Sequence, residues 1–245
     1  MSGSLRRGLR VLAALSGEPA TASRVAESHG VSLSTAVRLL QVLVEEGFAR
    51  RDESGRYHVG SQLLQVAYHV VASMDVREVA APILRGLNTQ TGQTVHLGYF
   101  ENPTVLYVDK YAGRAPVQMY SQIGMPAPLH CTAMGKAVAA SLPETERSAL
   151  AASLDYAVST DRTITNAEDY LRELETVRQQ GYALNLGEHE AVISAVAVPI
   201  KQPDGRVQYA IDLAVPNVVV NEDELRAFIP QVLAAVTDIE RALGY

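Results

Sequence analysis

Leu5, Leu9, Leu12 and Leu15 recur at the i, i+4, i+7 spacing of one helix face, and Gly17-Glu18-Pro19 ends that helix. A second short helix fits "TASRVAESHG", capped by Thr21 and stopped at Gly30. After the tight "GVS" turn Ser32 caps a third helix, "LSTAVRLLQVLVEEG", which closes at Gly47. At a helical rotation of about 100° per residue, Leu33, Ala36, Leu40, Leu43 and Val44 gather on a buried side, while Ser34, Arg38, Gln41 and Glu45 fall on the opposite one. In "FARRDESGRYHVG" residues 48–51 and 56–59 read as two strands around a turn at 52–55. Three helices with a short turn before the third, then an arginine-bearing hairpin, describe a winged helix-turn-helix over residues 1–60.

Residues 61–91 keep helical spacing on both sides of Asp75, a cap for the second segment, in which Pro82 lies early or makes a kink. They read as a linker helix and a helix leading into the next domain, with Tyr68, His69 and Met74 as core or dimer contacts. From residue 92 the pattern changes. Strand-like runs at "QTVHLGYF", "TVLYVDKY" and "VQMYSQI" precede a helical stretch beginning near Thr132. "NAEDYLRELETVRQQG" forms a helix, "ISAVAVPI" and "RVQYAIDLAV" two more strands, and a final helix starts at Asn221 with Glu224 at its N3 position. Strands and helices mix without a strict βαβ rhythm, so residues 92–245 predict an α/β domain whose sheet is antiparallel or mixed, with helices packed on it.

Composition fits this two-domain picture. The 245 residues are 47% hydrophobic and 20% charged, as in an ordered globular protein. The longest apolar runs, such as "AVISAVAVPI", are about half a bilayer span, and "MSGSLRRGLR" lacks the apolar core of a signal peptide, so a cytoplasmic protein without membrane partners is expected. One cysteine allows no internal disulfide and excludes a thiolate-rich zinc site. The net charge of −6 hides an asymmetry: residues 1–60 hold eight Arg against six acids, net +2, and the remainder thirteen cations against twenty-one acids, net −8. The basic half is suited to an anionic partner.

In a winged helix the start of the third helix enters the major groove of double-stranded DNA, where Ser34, Thr35, Arg38 and Gln41 reach base edges or phosphates. Arg50, Arg51 and Arg56 flank the backbone or minor groove from the wing and contribute mainly salt-dependent affinity. In the second half, "LHCTAMGK" holds the only cysteine beside a histidine and ahead of Gly-Lys. It is no phosphate loop: Lys136 is followed by Ala, and the glycine required five residues before Gly135 is His130. A Cys131–His130 pair is disfavoured because neighbours on an extended strand point to opposite faces, and His130, Cys131 and His189 lack metal-ligand spacing. Nor is any dinucleotide, zinc-protease or hydrolase motif present, so neither a cofactor nor a metal is expected. The competing reading is an enzyme using Cys131 or the His189-Glu190 pair, its N-terminal helices serving dimerisation.

A geometric reading remains. With Thr132 as cap, the N–H groups of Ala133, Met134 and Gly135 point into the space ahead of the helix, where a ligand oxygen is favoured. "RVQYAIDLAV" alternates Val207, Tyr209, Ile211 and Leu213 against Gln208, Ala210, Asp212 and Ala214. The small face with its one acid, near Ala195 and Ala197, leaves room for a small molecule. By itself this pattern equally fits Asp212 as a solvated residue or an arginine partner.

Three segments, "STAVRLLQVLVEEGFARRDESGRYHVG", "LHCTAMGKAVAASLP" and "VRQQGYALNLGEHEAVISAVAVPI", resemble, in order and spacing, the IclR family of bacterial transcription regulators. The resemblance covers almost the full chain. It implies a winged-helix N-domain, a linker helix and a GAF-like C-domain that binds small metabolites, often carboxylates or aromatic acids. It also implies homodimers, frequently paired into tetramers, on palindromic operators. The family's ligand-holding amides carry over to Ala133 and Met134, a pocket acid to Asn185, a cysteine to Ala195 and two serines to Asp212 and Ala214; Met119 completes the expected lining. These departures make the pocket roomier and more apolar, while Asp212 brings a charge that repels a carboxylate. A neutral or N–H-bearing effector, such as an amide, hydrazide or amine, or an aromatic metabolite is therefore expected.

Overall fold

The computed structural model describes residues 3–72, 75–101, 103–116 and 119–245, with side chains 68–75 left out. The expected roles of Tyr68, His69 and Met74 thus lie outside the described residues. The chain forms two compact units, residues 1–73 and 74–245.

In the first unit α1 (Gly3–Leu15), α2 (Ala22–His29) and α3 (Leu33–Glu45) precede a hairpin of β1 (Ala49–Arg51) and β2 (Tyr57–Val59), followed by α4 (Gln62–Ala72). Thr21 caps α2 by accepting from the Arg24 N–H, Gly30 ends it in the left-handed region, and Ser32 caps α3 through the Thr35 N–H. The hairpin gains a third partner, because Ala20 exchanges both backbone hydrogen bonds with Tyr57. The core is Val11, Leu15, Val25, Ala36, Leu40, Ala49 and Tyr57. Two residues expected inside are outside: Leu33 is 51% and Val44 36% exposed. They sit in the first and last turns of α3, and the unit's own elements cover only the middle of that face. On α1 likewise the C-terminal half is buried, while Leu5 and Leu9 border an apolar groove of about 530 Å³ with Leu39, Val42 and Phe48.

The second unit opens with α5 (Asp75–Thr91), which starts at the expected residue and carries Pro82 in its middle, not early. A six-stranded sheet follows in the order β5-β4-β3-β8-β7-β6, from β3 (Thr94–Glu101), β4 (Thr104–Tyr111), β5 (Pro126–Ala127), β6 (Ala183–Leu186), β7 (Ile193–Lys201) and β8 (Val207–Pro216). Every pairing is antiparallel. α6 (Ala133–Ala140), α7 (Glu144–Ser153) and α8 (Ala167–Gln180) lie between β5 and β6 in the chain, and α9 (Glu222–Ala227) and α10 (Ile229–Ala242) close it. The Asn221–Glu224 capping box forms as expected, but the final helix breaks at Phe228 into two. The run "VQMYSQI" is not a strand over its described residues 119–123, and periodicity missed two strands, the two-residue β5 and β6. With four residues, β6 is too short to show a period.

Both faces of the sheet are covered. On one, Leu97, Val196, Ile211, Leu213 and Val215 pack with Leu84 of α5 and Val232, Val236 and Ile239 of α10. On the other, Ala195, Ala197, Ala210 and Ala214 face Met134, Ala137 and Val138 of α6 and Tyr170, Leu174 and Val177 of α8. Each fully buried Leu or Ile here stabilises the fold by about 1.5–3 kcal/mol. β8 thus divides as its sequence alternates, with one exception: Val207 joins the small-residue side. A bulge between Ile200 and Lys201 shifts the register so that Lys201 opposes Val207, turning that side chain over.

Candidate functional site

The exposed face of α3 carries Ser34, Arg38, Gln41 and Glu45 in the open, with Thr35 half-buried and its hydroxyl 2.8 Å from Ser32 Oγ. Arg50, Arg51 and Arg56 are exposed on the wing, where the Arg51 guanidinium stacks over Tyr57 at 5.6 Å. The wing turn is closed by Asp52, which accepts from Ser54 Oγ at 2.7 Å and the Arg56 N–H at 2.9 Å and pairs with His58 at 2.6 Å. These bonds, the His58 one foremost, hold the Asp52 carboxyl far below the usual range. A fixed turn presents the arginines from a defined place.

In the second unit "LHCTAMGK" feeds α6 from a turn, not from the end of a strand as expected. Thr132 caps α6, its hydroxyl accepting from the Gly135 N–H at 3.0 Å and donating to Pro128 O at 2.7 Å. Of the three amides expected to face a ligand, Gly135 is therefore already used. Gly135 also has to be glycine, since a Cβ would stand 2.6 Å from Leu129 Cα and Pro128 O. Lys136 is 1% exposed and donates to Glu173 at 2.9 Å and Glu188 at 2.7 and 2.9 Å. Burial pushes the Glu188 carboxyl upward and Lys136 pulls it back. The Gly-Lys pair is thus a packing and ion-pairing device.

Cys131, in the turn, does not meet its neighbour His130, which bonds to Ala157 O. Its sulfur lies 3.7 Å from His189 Nδ1. Burial, reinforced by Glu188, pushes the thiol up to about 11, and burial lowers His189. Thiol and neutral imidazole are poor partners for nucleophilic chemistry. Among the described residues no cluster of His, Cys, Asp or Glu could hold a metal.

A cavity of about 40 Å³ lies beside these residues, between the small face of the sheet and the start of α6. Met119, Ala133, Asn185, Ala195, Asp212 and Ala214 all line it. Met134 does not; it is fully buried against Gly98, where a Cβ would meet its sulfur at 1.9 Å. The lining also includes Thr132, His189 and Glu190, which the sequence singled out in other roles, and His96, Tyr107, Ser121 and Ile193, which sequence reasoning missed.

Register explains the most consequential of these. Asp212 lies opposite Ala197 on one side and His96 on the other, and His96 opposes Lys110, so one cross-strand row reads Ala197, Asp212, His96, Lys110. Directly opposed residues share a face. Asp212 is 4% exposed and is neither solvated nor paired with arginine: its Oδ1 lies 2.6 Å from His96 Nδ1. His96 Nε2 is 2.8 Å from Ser121 Oγ, and its ring tilts against Tyr107 at 4.8 Å. Lys110 donates to Ser121 O at 2.5 Å and Met119 O at 3.3 Å. Burial lowers the Lys110 ammonium, while Glu190 and Asp212 raise it. Asn185 Oδ1 accepts the Glu188 N–H at 2.7 Å, fixing the amide's orientation.

Residues 68–241 match the family model for the bacterial transcriptional regulator IclR C-terminal domain, and residues 4–53 match the IclR helix-turn-helix domain. The chain is 35% identical to the HTH-type transcriptional regulator XynR of Escherichia coli, over 99% of this chain and 97% of that one. It is 30% identical to KdgR of the same organism, over 88% and 82%. The crystal structure of Thermotoga maritima IclR superposes with a TM-score of 0.77 at 30% identity, over 98% of each chain. These relatives are regulators, not enzymes, which sets aside the catalytic reading of Cys131 and His189-Glu190. With a helix-turn-helix DNA-binding domain and a C-terminal effector domain, the chain belongs to the IclR family of bacterial transcription regulators.

Proposed function

We propose that this regulator binds operator DNA through Ser34, Thr35, Arg38 and Gln41 of α3 and Arg50, Arg51 and Arg56 of the wing, and that a small molecule in the β8–α6 cavity shifts that binding. It acts in the cytoplasm as a homodimer, or a dimer of dimers, on a palindromic site, the effector shifting the population between geometries that match the half-site spacing and those that do not. The effector is neutral or bears N–H or O–H donors, in the class of amides, hydrazides, amines and small aromatic compounds.

The observation that carries this reading is the charge of the cavity wall. Asp212 and Glu190 both line it, and the ammonium near them, Lys110, is engaged by the carbonyls of Ser121 and Met119. A carboxylate ligand would meet two like charges at short range in a poorly solvated site. A carbonyl oxygen suits the Ala133 amide at the start of α6, and donors suit the acceptors on the sheet side. Calorimetry with benzoate, benzamide and benzylamine tests it. The amide or amine should bind more tightly, and Asp212→Ser should narrow the difference; a preference for benzoate, unchanged in Asp212→Ser, would sink the reading.

A further inference from the structure

The cavity of about 40 Å³ has room for little more than one water molecule, against the several hundred Å³ of typical ligand sites. Any effector therefore has to displace part of the lining. The sheet, α6 and the loop after β6 are tied from several sides: Lys136 bonds to Glu173 and Glu188, and Thr160 and Thr163 donate to Gly187 O and Glu188 O. The segment at Met119 and Ser121 is held differently. Two strand side chains grip it, His96 through the Ser121 hydroxyl and Lys110 through the carbonyls of Ser121 and Met119. Met119 packs against the small-residue core, but Tyr120 and Ile123 beside it are 81% and 55% exposed, so one side chain supplies the apolar part of that grip.

Resting on the effector reading above, we propose that His96 is the specificity-determining contact for the effector and Ser121 its stand-in in the closed cavity. Asp212 acts as the positioning residue. A carboxylate has no proton to give, so the 2.6 Å contact places the imidazole hydrogen on Nδ1. With its hydrogen on Nδ1, the imidazole turns Nε2 toward Ser121 and the cavity as a bare acceptor. Ser121 satisfies that acceptor with its hydroxyl hydrogen. An effector that enters has to replace this donor, since a buried acceptor left without one costs more than the bond it lost. The ligand class follows: a phenolic or alcoholic O–H, or an amide or amine N–H, donates to His96 Nε2. Asp212 itself is not the recognising atom; it sets which proton the imidazole carries, and thereby selects donors over acceptors.

Two measurements on the full-length protein test this. Long-range nitrogen NMR of histidine-labelled protein at pH 7.5, with the His96 signal assigned by its loss in His96→Gln, should show a proton on Nδ1 and none on Nε2. Calorimetry should then show phenol binding roughly tenfold more tightly than anisole, and benzamide roughly tenfold more tightly than N,N-dimethylbenzamide, the scale of one buried hydrogen bond left unmade. The gap should close in His96→Gln. Ser121→Ala, a half-buried loop position that leaves the sheet intact, should tighten both donors several-fold, because the closed cavity loses the bond that competes with them. A proton on Nε2, equal binding of the methylated partners, no binding of phenol or benzamide at millimolar concentration, or donor binding unchanged in Ser121→Ala overturns the proposal. Benzamide and its dimethyl form bound equally, both above benzoate, would count against His96 alone and leave the neutral-effector reading standing; benzoate bound best would count against that reading.

Discussion

At the scale of single residues, burial decides what the chemically conspicuous side chains can do. Cys131 looks reactive in one dimension, but its thiol is pushed from 9.0 to about 11 by desolvation first and Glu188 second. A folded value above the unfolded one means the stabilisation is complete below pH 9 and is lost as pH rises through about 11. Tyr107 and Tyr170, both raised chiefly by burial, push in the same direction from about pH 10 upward. Urea unfolding at pH 8.5 and 10.5 should show a falling midpoint, with a smaller fall in Cys131→Ala. An equal fall in both would assign the alkaline loss to the tyrosines alone. Asp212 and Asp52 make the complementary case: both are acids beside a histidine, one buried in the sheet at the cavity wall and one in the exposed wing, where it clasps the turn.

At the scale of elements, α6 and α3 show how a short helix is placed for a task. All eight residues of α6 are buried, and its small side chains let it lie directly on the alanine face of β7 and β8. Its first turn is held against the preceding turn by Gly135, where a Cβ would collide with backbone, not with a yielding side chain. Gly135→Ala should cost about 1–3 kcal/mol, on the scale of overpacked cores, and thermal unfolding would register it as a lower midpoint. A neutral outcome would mean that the Pro128–Leu129 turn can move away from the helix. On α3 and the wing, the proposed base-edge and backbone contacts differ in salt dependence. In gel shifts with the DNA upstream of its own gene, Arg38→Ala should lower sequence-specific binding by about 1–3 kcal/mol, whereas Arg56→Ala should weaken all DNA alike and flatten the salt dependence by about one phosphate's worth. Unaltered binding in both variants would remove α3 and the wing from the proposed interface.

For the molecule as a whole, the C-terminal unit is organised around one buried cation. Lys136 joins α6, α8 through Glu173 and the loop after β6 through Glu188, and that loop presents His189 and Glu190 to the cavity. Lys136→Met leaves Glu188 buried without its partner and should destabilise the unit by about 3–5 kcal/mol in urea unfolding, with part of the loss recovered when Glu188→Gln is added. No recovery would mean that Glu173 or packing carries the effect.

Much of this architecture is set within short stretches of chain. The caps Thr21, Ser32, Thr132, Asn166 and Asn221 act within three residues of themselves, so the starts of those five helices are legible from their own letters. The alternation along β8 likewise sorts bulky from small residues without reference to other strands, and it places Asp212 and Ala214 on the cavity side. Three quoted motifs, in order, suffice for the family. Other features required partners distant in sequence. That Asp212 meets His96, 116 positions away, depends on β3 pairing with β8 in one register. A slip of one residue would have turned it to the opposite face. Leu33 and Val44 are outside because nothing in the first unit reaches the ends of α3, and Lys136 is inside because two glutamates come from other elements to meet it. Caps and periodicity are local interactions, so most helices and strands, the faces they present and the class of regulator can be read along the chain, whereas β5, β6 and the break at Phe228 cannot. Which polar groups share the buried cavity, and which are already paired there, emerges with the fold, because burial and pairing belong to residues that the fold, not the chain, makes neighbours.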